Sequence, residues 1–252
     1  MNKIVFITGA TSGFGKACAV KFAEAGYDII INGRREGRLQ QLKKDIEEKF
    51  SVGVLPLPFD VSKRQDVFKA VNTIPAKWKD IKILINNAGL ALGRDFFDEA
   101  DIDEWDTMLD TNVKGLLYVS KAVLPLMISQ NKGHIINLGS VAAKEVYEKG
   151  NVYCASKFAV EAISRSMRID LLRHNIKVTA IHPGAAETEF SLVRFKGDMA
   201  KSNAIYNGFK PLIAKDVADV IYYCTTVPEH VCINDLVICP VQQADAIYFH
   251  KE

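Results

Sequence analysis

The chain has 252 residues, 48% of them hydrophobic and 25% charged, with acids and bases nearly balanced at a net charge of +2. That length and composition suit a soluble globular protein with a sizeable core, and the absence of blocks of like charge excludes an electrostatic footprint for nucleic acid or a membrane surface. There is no apolar stretch of about 18 residues, so no transmembrane span is expected. Five cysteines (Cys18, Cys154, Cys224, Cys232 and Cys239) without a Cys-x-x-Cys pair read as reduced thiols in a cytoplasmic protein, and five scattered histidines lack metal-ligand spacing, so no metal is expected.

Apolar runs of strand length fall at 3–8, 27–32, 52–59, 81–86, 133–139, 176–182 and 233–239, and helical periodicity fills 14–25, 36–49, 63–74, 102–130, 152–174 and 214–226. The alternation predicts βαβ units: an α/β chain with a parallel sheet covered by helices on both faces. The first strand begins almost at once, so no signal peptide is expected, and no linker or repeat divides residues 1–252, which read as one domain.

Between the first strand and first helix runs Thr8-Gly9-Ala10-Thr11-Ser12-Gly13-Phe14-Gly15. Glycines there let the backbone turn tightly and approach a pyrophosphate, which a helix N-terminus favours; the spacing differs from the usual Gly-x-Gly-x-x-Gly, but the position makes Gly9, Thr11, Ser12, Gly13, Phe14 and Gly15 a cofactor turn. The second strand ends in Gly33-Arg34-Arg35 where an acidic residue would hold the ribose 2′-hydroxyl of NAD. Two arginines instead match a 2′-phosphate and point to NADP(H). The third strand ends at Asp60-Val61, where Asp60 could take the adenine amino group or cap the next helix, with Ser62 a competing cap. After the fourth strand, Asn86-Asn87-Ala88-Gly89 suits either backbone contact with a ligand or a plain turn.

The helical stretch 102–130 contains Asn112 and Gly115, both poor residues for a helix interior. Such a local break of rules is where a functional site is expected. The fifth strand delivers Ser140 to the edge carrying the cofactor turn, and the sixth ends in His182-Pro183-Gly184, where His182 reads as structural. At the head of the next long helix stands Tyr153-Cys154-Ala155-Ser156-Lys157, placing Tyr153 and Lys157 at i and i+4 on one face. A phenol titrates near ~10; a fixed ammonium beside it would favour the phenolate and bring it toward a working base.

Taken together, Gly9…Gly13-x-Gly15, Asn86-Asn87-Ala88-Gly89, Ser140 and Tyr153-x-x-x-Lys157, with Asn112 between them, resemble the short-chain dehydrogenase/reductase family from the first strand to the last. The resemblance implies a single-domain, doubly wound Rossmann-type sheet of seven strands. It also implies a catalytic tetrad of Asn112, Ser140, Tyr153 and Lys157, NADP(H) held by these residues and by Asn87, Ala88, Gly89, Pro183, Gly184 and Thr188, and a homotetramer. In that reading Tyr153 exchanges the hydroxyl proton, Lys157 lowers its pKa and holds the ribose, Ser140 binds the reacting oxygen, and Asn112 holds a relay water. Gly89-Leu90-Ala91-Leu92-Gly93, Gly150-Asn151-Val152-Tyr153 and Thr188-Glu189-Phe190-Ser191 are similar to the branch acting on small 3-hydroxy acids and the corresponding 3-oxo or aldehyde acids, with sulfoacetaldehyde reductases near it. Arg94 and Ala142-Ala143-Lys144-Glu145 depart from that branch.

The polar segment 186–210, with Phe190, Phe195 and Tyr206, reads as a substrate lid. Within it, Arg194 is the candidate to clamp a substrate carboxylate or sulfonate beside Ser140 and Tyr153, against an exposed pairing with Glu187 or Asp198; Arg94 is the second choice. Two other readings remain: a reductase of 3-oxoacyl thioesters or bulky ketones, and a non-catalytic NADP-binding sensor or scaffold.

Overall fold

The computed structural model describes residues 3–252. Seven strands form one parallel sheet: β1 (Ile4–Ile7), β2 (Asp28–Gly33), β3 (Val54–Pro58), β4 (Ile81–Asn86), β5 (Gly133–Leu138), β6 (Ile176–Pro183) and, last in the chain, β9 (Asp235–Ile238). Their order is β3-β2-β1-β4-β5-β6-β9. The helices are α1 (Gly13–Glu24), α2 (Glu36–Lys49), α3 (Arg64–Asn72), α4 (Ile102–Leu109), α5 (Leu116–Ile128), α6 (Asn151–Asp170), α7 (Glu189–Arg194), α8 (Met199–Ala204) and α9 (Ala214–Thr226). The expected doubly wound sheet is present.

The period of two along a strand divides the core between the two faces. Val5 and Ile7 of β1 pack with Ile29, Ile31, Phe22 of α1 and Ile221 of α9. Ile4 and Phe6 pack on the opposite face with Ile30, Leu84, Val119 of α5 and Val178. Covered on both faces, these strands are apolar at nearly every position, as a buried parallel sheet requires. The chain winds outward from β1 to β3 and then crosses to β4, so a crevice opens at the carboxyl ends of β1 and β4, the topological switch point.

Two expectations are corrected. The stretch 102–130 is not one regular helix: a π-helical turn, Asp110–Gly115, separates α4 from α5 and carries both Asn112 and Gly115. Asn and Gly, poor residues for an α-helical interior, thus fall in an irregular turn of a kind frequent at functional sites. The segment 186–210 is not a structureless loop either. It holds α7, α8 and a two-residue strand, β7 (Ala186–Glu187), paired with β8 (Leu212–Ile213).

Candidate active site

A cleft of about 1430 Å³ lies at the switch point. That exceeds the roughly 300–1,000 Å³ of an ordinary small-molecule pocket and leaves room for a dinucleotide with a small second ligand. Of the residues singled out from the sequence, Gly9, Thr11, Ser12, Gly13, Phe14, Arg34, Arg35, Asp60, Val61, Asn87, Ala88, Gly89, Ser140, Tyr153, Lys157, Pro183, Gly184 and Arg194 line it. Gly15, Asn112 and Thr188 stand behind the wall. A side chain at Gly15 would collide with the Gly9 carbonyl, so Gly15 lets α1 seat against the turn. Thr188 caps α7 by accepting from the Phe190 N–H and packs opposite Gly13.

The turn is built for an anion. Gly9 and Gly13 have φ of +65° and +51°, the left-handed region that glycine tolerates. A Cβ on Gly9 would come within 2.9 Å of the Ala88 Cα, so the β1 and β4 turns are in backbone contact. No side chain caps the N-terminus of α1, which leaves its N–H groups and positive dipole end for a ligand. Arg35 donates to Thr11 and Ser12 and, like Arg38, pairs with Glu189 of α7. Arg34 is more exposed, 4.0 Å from Asp60. Asp60 caps no helix: its Oδ1 accepts from the Ser62 N–H and hydroxyl, while α3 has Lys63 at its N-cap position and no side-chain cap.

At the other end of the cleft, the inward face of α6 presents Tyr153 and Lys157, both buried. Lys157 Nζ donates to the Leu138 carbonyl at 2.9 Å and lies 5.9 Å from the Tyr153 ring centroid. Burial pushes the Lys157 ammonium down to about 8. Burial also drives the Tyr153 phenol upward, aided by Tyr147 and opposed by the Ser140 hydroxyl and Arg194. Burial thus opposes the expected lowering of Tyr153 by Lys157. Desolvation outweighs the favourable charge, and the cation acting on the phenol is Arg194, 5.5 Å from its ring.

Asn112 points inward from the π turn. Its amide donates to the Leu90 carbonyl and to Ser156 Oγ, and its oxygen accepts from the Leu90 N–H at 2.8 Å. The side chain is thus engaged in holding the β4 turn to α6. Gly89 lies between Asn112 and Lys157: a Cβ there would stand 3.2 Å from Asn112 Oδ1 and 3.6 Å from Lys157 Nζ.

Arg194 is buried rather than exposed, 8% accessible, and pairs with neither Glu187 nor Asp198. Its Nε donates to the Gly93 carbonyl and one Nη to the Tyr147 hydroxyl, both at 3.1 Å. Phe190 of the same helix packs at a tilt against the Tyr153 ring, their centroids 5.7 Å apart. Tyr147 is a site residue that sequence reasoning missed. It sits in the loop before α6, outside any periodic pattern, and only its spacing of six from Tyr153 could have suggested it. Burial raises its phenol, against the opposing pull of Arg194.

Comparison with known proteins gives the family. A family model described as short chain dehydrogenase matches residues 3–197. The NADP-dependent 3-hydroxy acid dehydrogenase YdfG of Salmonella typhi is 44% identical over 244 residues, 96% of this chain and 97% of that protein. Sulfoacetaldehyde reductase 2 of Chromohalobacter salexigens is 45% identical over 245 residues, 97% and 96% of the two chains. A structure described as the closed form of serine dehydrogenase complexed with NADP+ superposes with a TM-score of 0.91 at 43% identity, covering 99% of this chain and all of that one. The chain belongs to the short-chain dehydrogenase family.

Proposed function

We propose that the protein is an NADP(H)-dependent oxidoreductase that interconverts a short 3-hydroxy acid and its 3-oxo or aldehyde counterpart. The observation that carries the substrate class is Arg194, a buried guanidinium next to the Tyr153 phenol. A buried cation without a carboxylate partner is costly. A substrate anion supplies that partner, and the chain length between anion and reacting carbon then selects short acids.

Bound in the cleft, NADP(H) supplies or accepts the hydride. The glycine turn and the α1 N-terminus would hold its pyrophosphate, Arg34 and Arg35 would take its 2′-phosphate, Asp60, Val61, Asn87, Ala88, Gly89, Pro183 and Gly184 would flank it, and Thr188 would support Gly13 from behind. Tyr153 gives a proton to the substrate carbonyl oxygen in reduction and removes it in oxidation. The phenol is held above its ordinary value by burial, so at neutral pH it carries the proton, the state reduction needs. Ser140 binds the same oxygen as charge develops on it. Lys157 would refill Tyr153 with protons and bind the ribose, and Asn112, which ties the β4 turn at Leu90 to Ser156 of α6, would hold the water that links Lys157 to solvent. Segment 186–210 closes over the substrate as a lid. A sulfonate substrate is the second reading, favoured by a second guanidinium: Arg94 lies 6.0 Å from the Tyr147 ring, at the same end of the cleft.

Initial rates at the nicotinamide absorbance band test this. NADP, not NAD, should support oxidation of serine, allo-threonine, 3-hydroxyisobutyrate or 3-hydroxypropionate, and Arg34→Ala with Arg35→Ala should raise the Kd for NADPH about tenfold or more while sparing NADH. Equal rates with NAD would remove the two-arginine reading, and preference for hydroxyethanesulfonate would select the sulfonate.

The protein also reads as a homotetramer. Ile169 and Leu172, at the end of α6 and just beyond it, are each 70% exposed, with Phe158 and Leu117 on α6 and α5 also open, an apolar surface suited to burial against a second copy. Sedimentation equilibrium at the mass of one chain would end that reading. Among the described residues no helix is long and apolar enough to cross a membrane, and all five cysteines are free, which supports the reducing cytoplasm as its compartment.

A further inference from the structure

Behind Ser140, on the side away from the cleft, lies a cluster of charged groups that the reaction above does not use. His182, at the carboxyl end of β6, is fully buried. Its Nε2 faces Asp235 Oδ2 of β9 at 3.1 Å and Glu161 Oε2 of α6 at 2.9 Å. Lys144, in the turn after β5, donates to Asp235 at 2.7 Å and lies 3.5 Å from Glu161, and Arg165 donates to the other Glu161 oxygen at 2.6 Å. Glu161, His182 and Asp235 offer ligand atoms within 4.8 Å of one another, but Lys144 and Arg165 already supply that cluster with positive charge, so it is an ion-pair network and not a metal site.

Both carboxylates need a proton facing them, and Nε2 is the atom placed to carry it. Glu161 Oε2 is buried, and the Glu161 and Asp235 carboxylates also face each other, with Nε2 as the ring donor between them. With Nε2 protonated, the state of the ring is decided at Nδ1, which lies between two atoms of one residue: 3.4 Å from the Ser140 nitrogen and 3.1 Å from the Ser140 oxygen. The ring is pressed against this peptide so closely that a methyl group at Gly139 would overlap its Nδ1 edge. A neutral ring accepts from the Ser140 N–H. A protonated ring donates to the Ser140 carbonyl.

We propose that His182 is a positioning residue for Ser140: anchored at Nε2 by Asp235 and Glu161, it holds the Ser140 peptide through its N–H when neutral and through its carbonyl when protonated, and the neutral arrangement is the active one. This rests on Ser140 being the residue at the reacting oxygen. The groups facing the ring are Glu161 from α6, Asp235 from β9, Lys144 from the turn after β5 and the Ser140 peptide itself; Arg165 reaches it only through Glu161. Two carboxylates against two cations balance a neutral ring. Burial and Lys144 push His182 below its ordinary 6.5, opposed by Asp235, the Ser140 carbonyl and Glu161, so protonation arrives on the acid side and kcat falls there.

The test is the pH profile of kcat for the cofactor-loaded enzyme. Wild type should show an acid-side inflection below 6.5. His182→Leu should lower kcat about tenfold above the wild-type inflection and show no inflection of its own, with KM for NADPH within about twofold. His182→Asn, whose amide reaches the same peptide but does not titrate, should recover most of the rate and lose the inflection. An inflection that persists in His182→Asn, or a wild-type kcat in His182→Leu, overturns the proposal. Nuclear magnetic resonance gives an answer independent of turnover: the Ser140 amide should shift with the His182 ring titration in wild type and stand still in His182→Asn. A ring that titrates without moving the Ser140 amide also overturns it. Ser140→Ala at full activity would instead defeat the reading of Ser140, while the resonance coupling still decides the role of His182.

Discussion

Tyr153→Phe lowers kcat by about a thousandfold or more, while the Kd for NADPH changes by no more than about threefold. In the proposed mechanism the lost hydroxyl is the proton donor to the substrate oxygen, and acid–base catalysis by a positioned side chain contributes on the order of 10²–10⁴. The ring itself stays, so its tilted contact with Phe190 at 5.7 Å persists and the cleft keeps its shape. Stopped-flow turnover beside fluorescence titration of NADPH measures both quantities, and a variant with near wild-type rate removes Tyr153 from the role. The wild-type pH dependence carries the same chemistry. Burial disfavours the charged form of Lys157 and sets its loss of a proton at about 8, while the Tyr153 phenol holds its proton to higher pH. Reduction therefore declines as pH rises through that value, and oxidation climbs over the same interval.

Arg194→Ala raises KM for an acidic substrate on the order of a hundredfold, because removing one partner of a buried charge pair costs about 2–5 kcal/mol and ~1.4 kcal/mol is a factor of ten. Arg194→Lys falls between the two, since an ammonium keeps the charge but not the planar fork that grips a carboxylate with two N–H groups. A neutral analogue of the substrate, such as its amide, supplies the control. Arg194 also ties α7 to the Gly93 carbonyl and to Tyr147, so a loosened lid would weaken the acid and the amide alike. The clamp requires the acid alone to suffer, and an unchanged KM for the acid rules it out.

How legible these residues were depended on their place in the chain. The glycine turn, Ser140 and the Tyr153-x-x-x-Lys157 pair could be read because each follows directly from an element whose periodicity is strong: β1 into α1, the end of β5, the head of α6. Asn112 was legible only as an irregularity, two poor helix residues in a helical stretch; that Gly115 packs so closely on Val61 that a Cβ would come within 2.8 Å is a tertiary contact with no local signal. Arg194 was named as one of two arginines, but its burial was not visible, because a six-residue helix carries too little pattern to tell an inward side chain from an outward one. Tyr147 and the partners of His182 were missed for a related reason. Glu161, His182 and Asp235 lie on α6, β6 and β9, far apart in the chain, and nothing local in any of them announces the other two.

The amino-acid sequence by itself determined the alternating strands and helices, hence a parallel sheet covered on both faces and a crevice at its switch point, because hydrophobic periodicity and glycine conformations are local properties. The electrostatics were decided only by tertiary structure. An i, i+4 spacing implied that Lys157 lowers Tyr153, yet in the folded chain desolvation raises the phenol and lowers the ammonium. Desolvation is the sum of every atom that surrounds a group, most of them distant in sequence, so no local motif contains it.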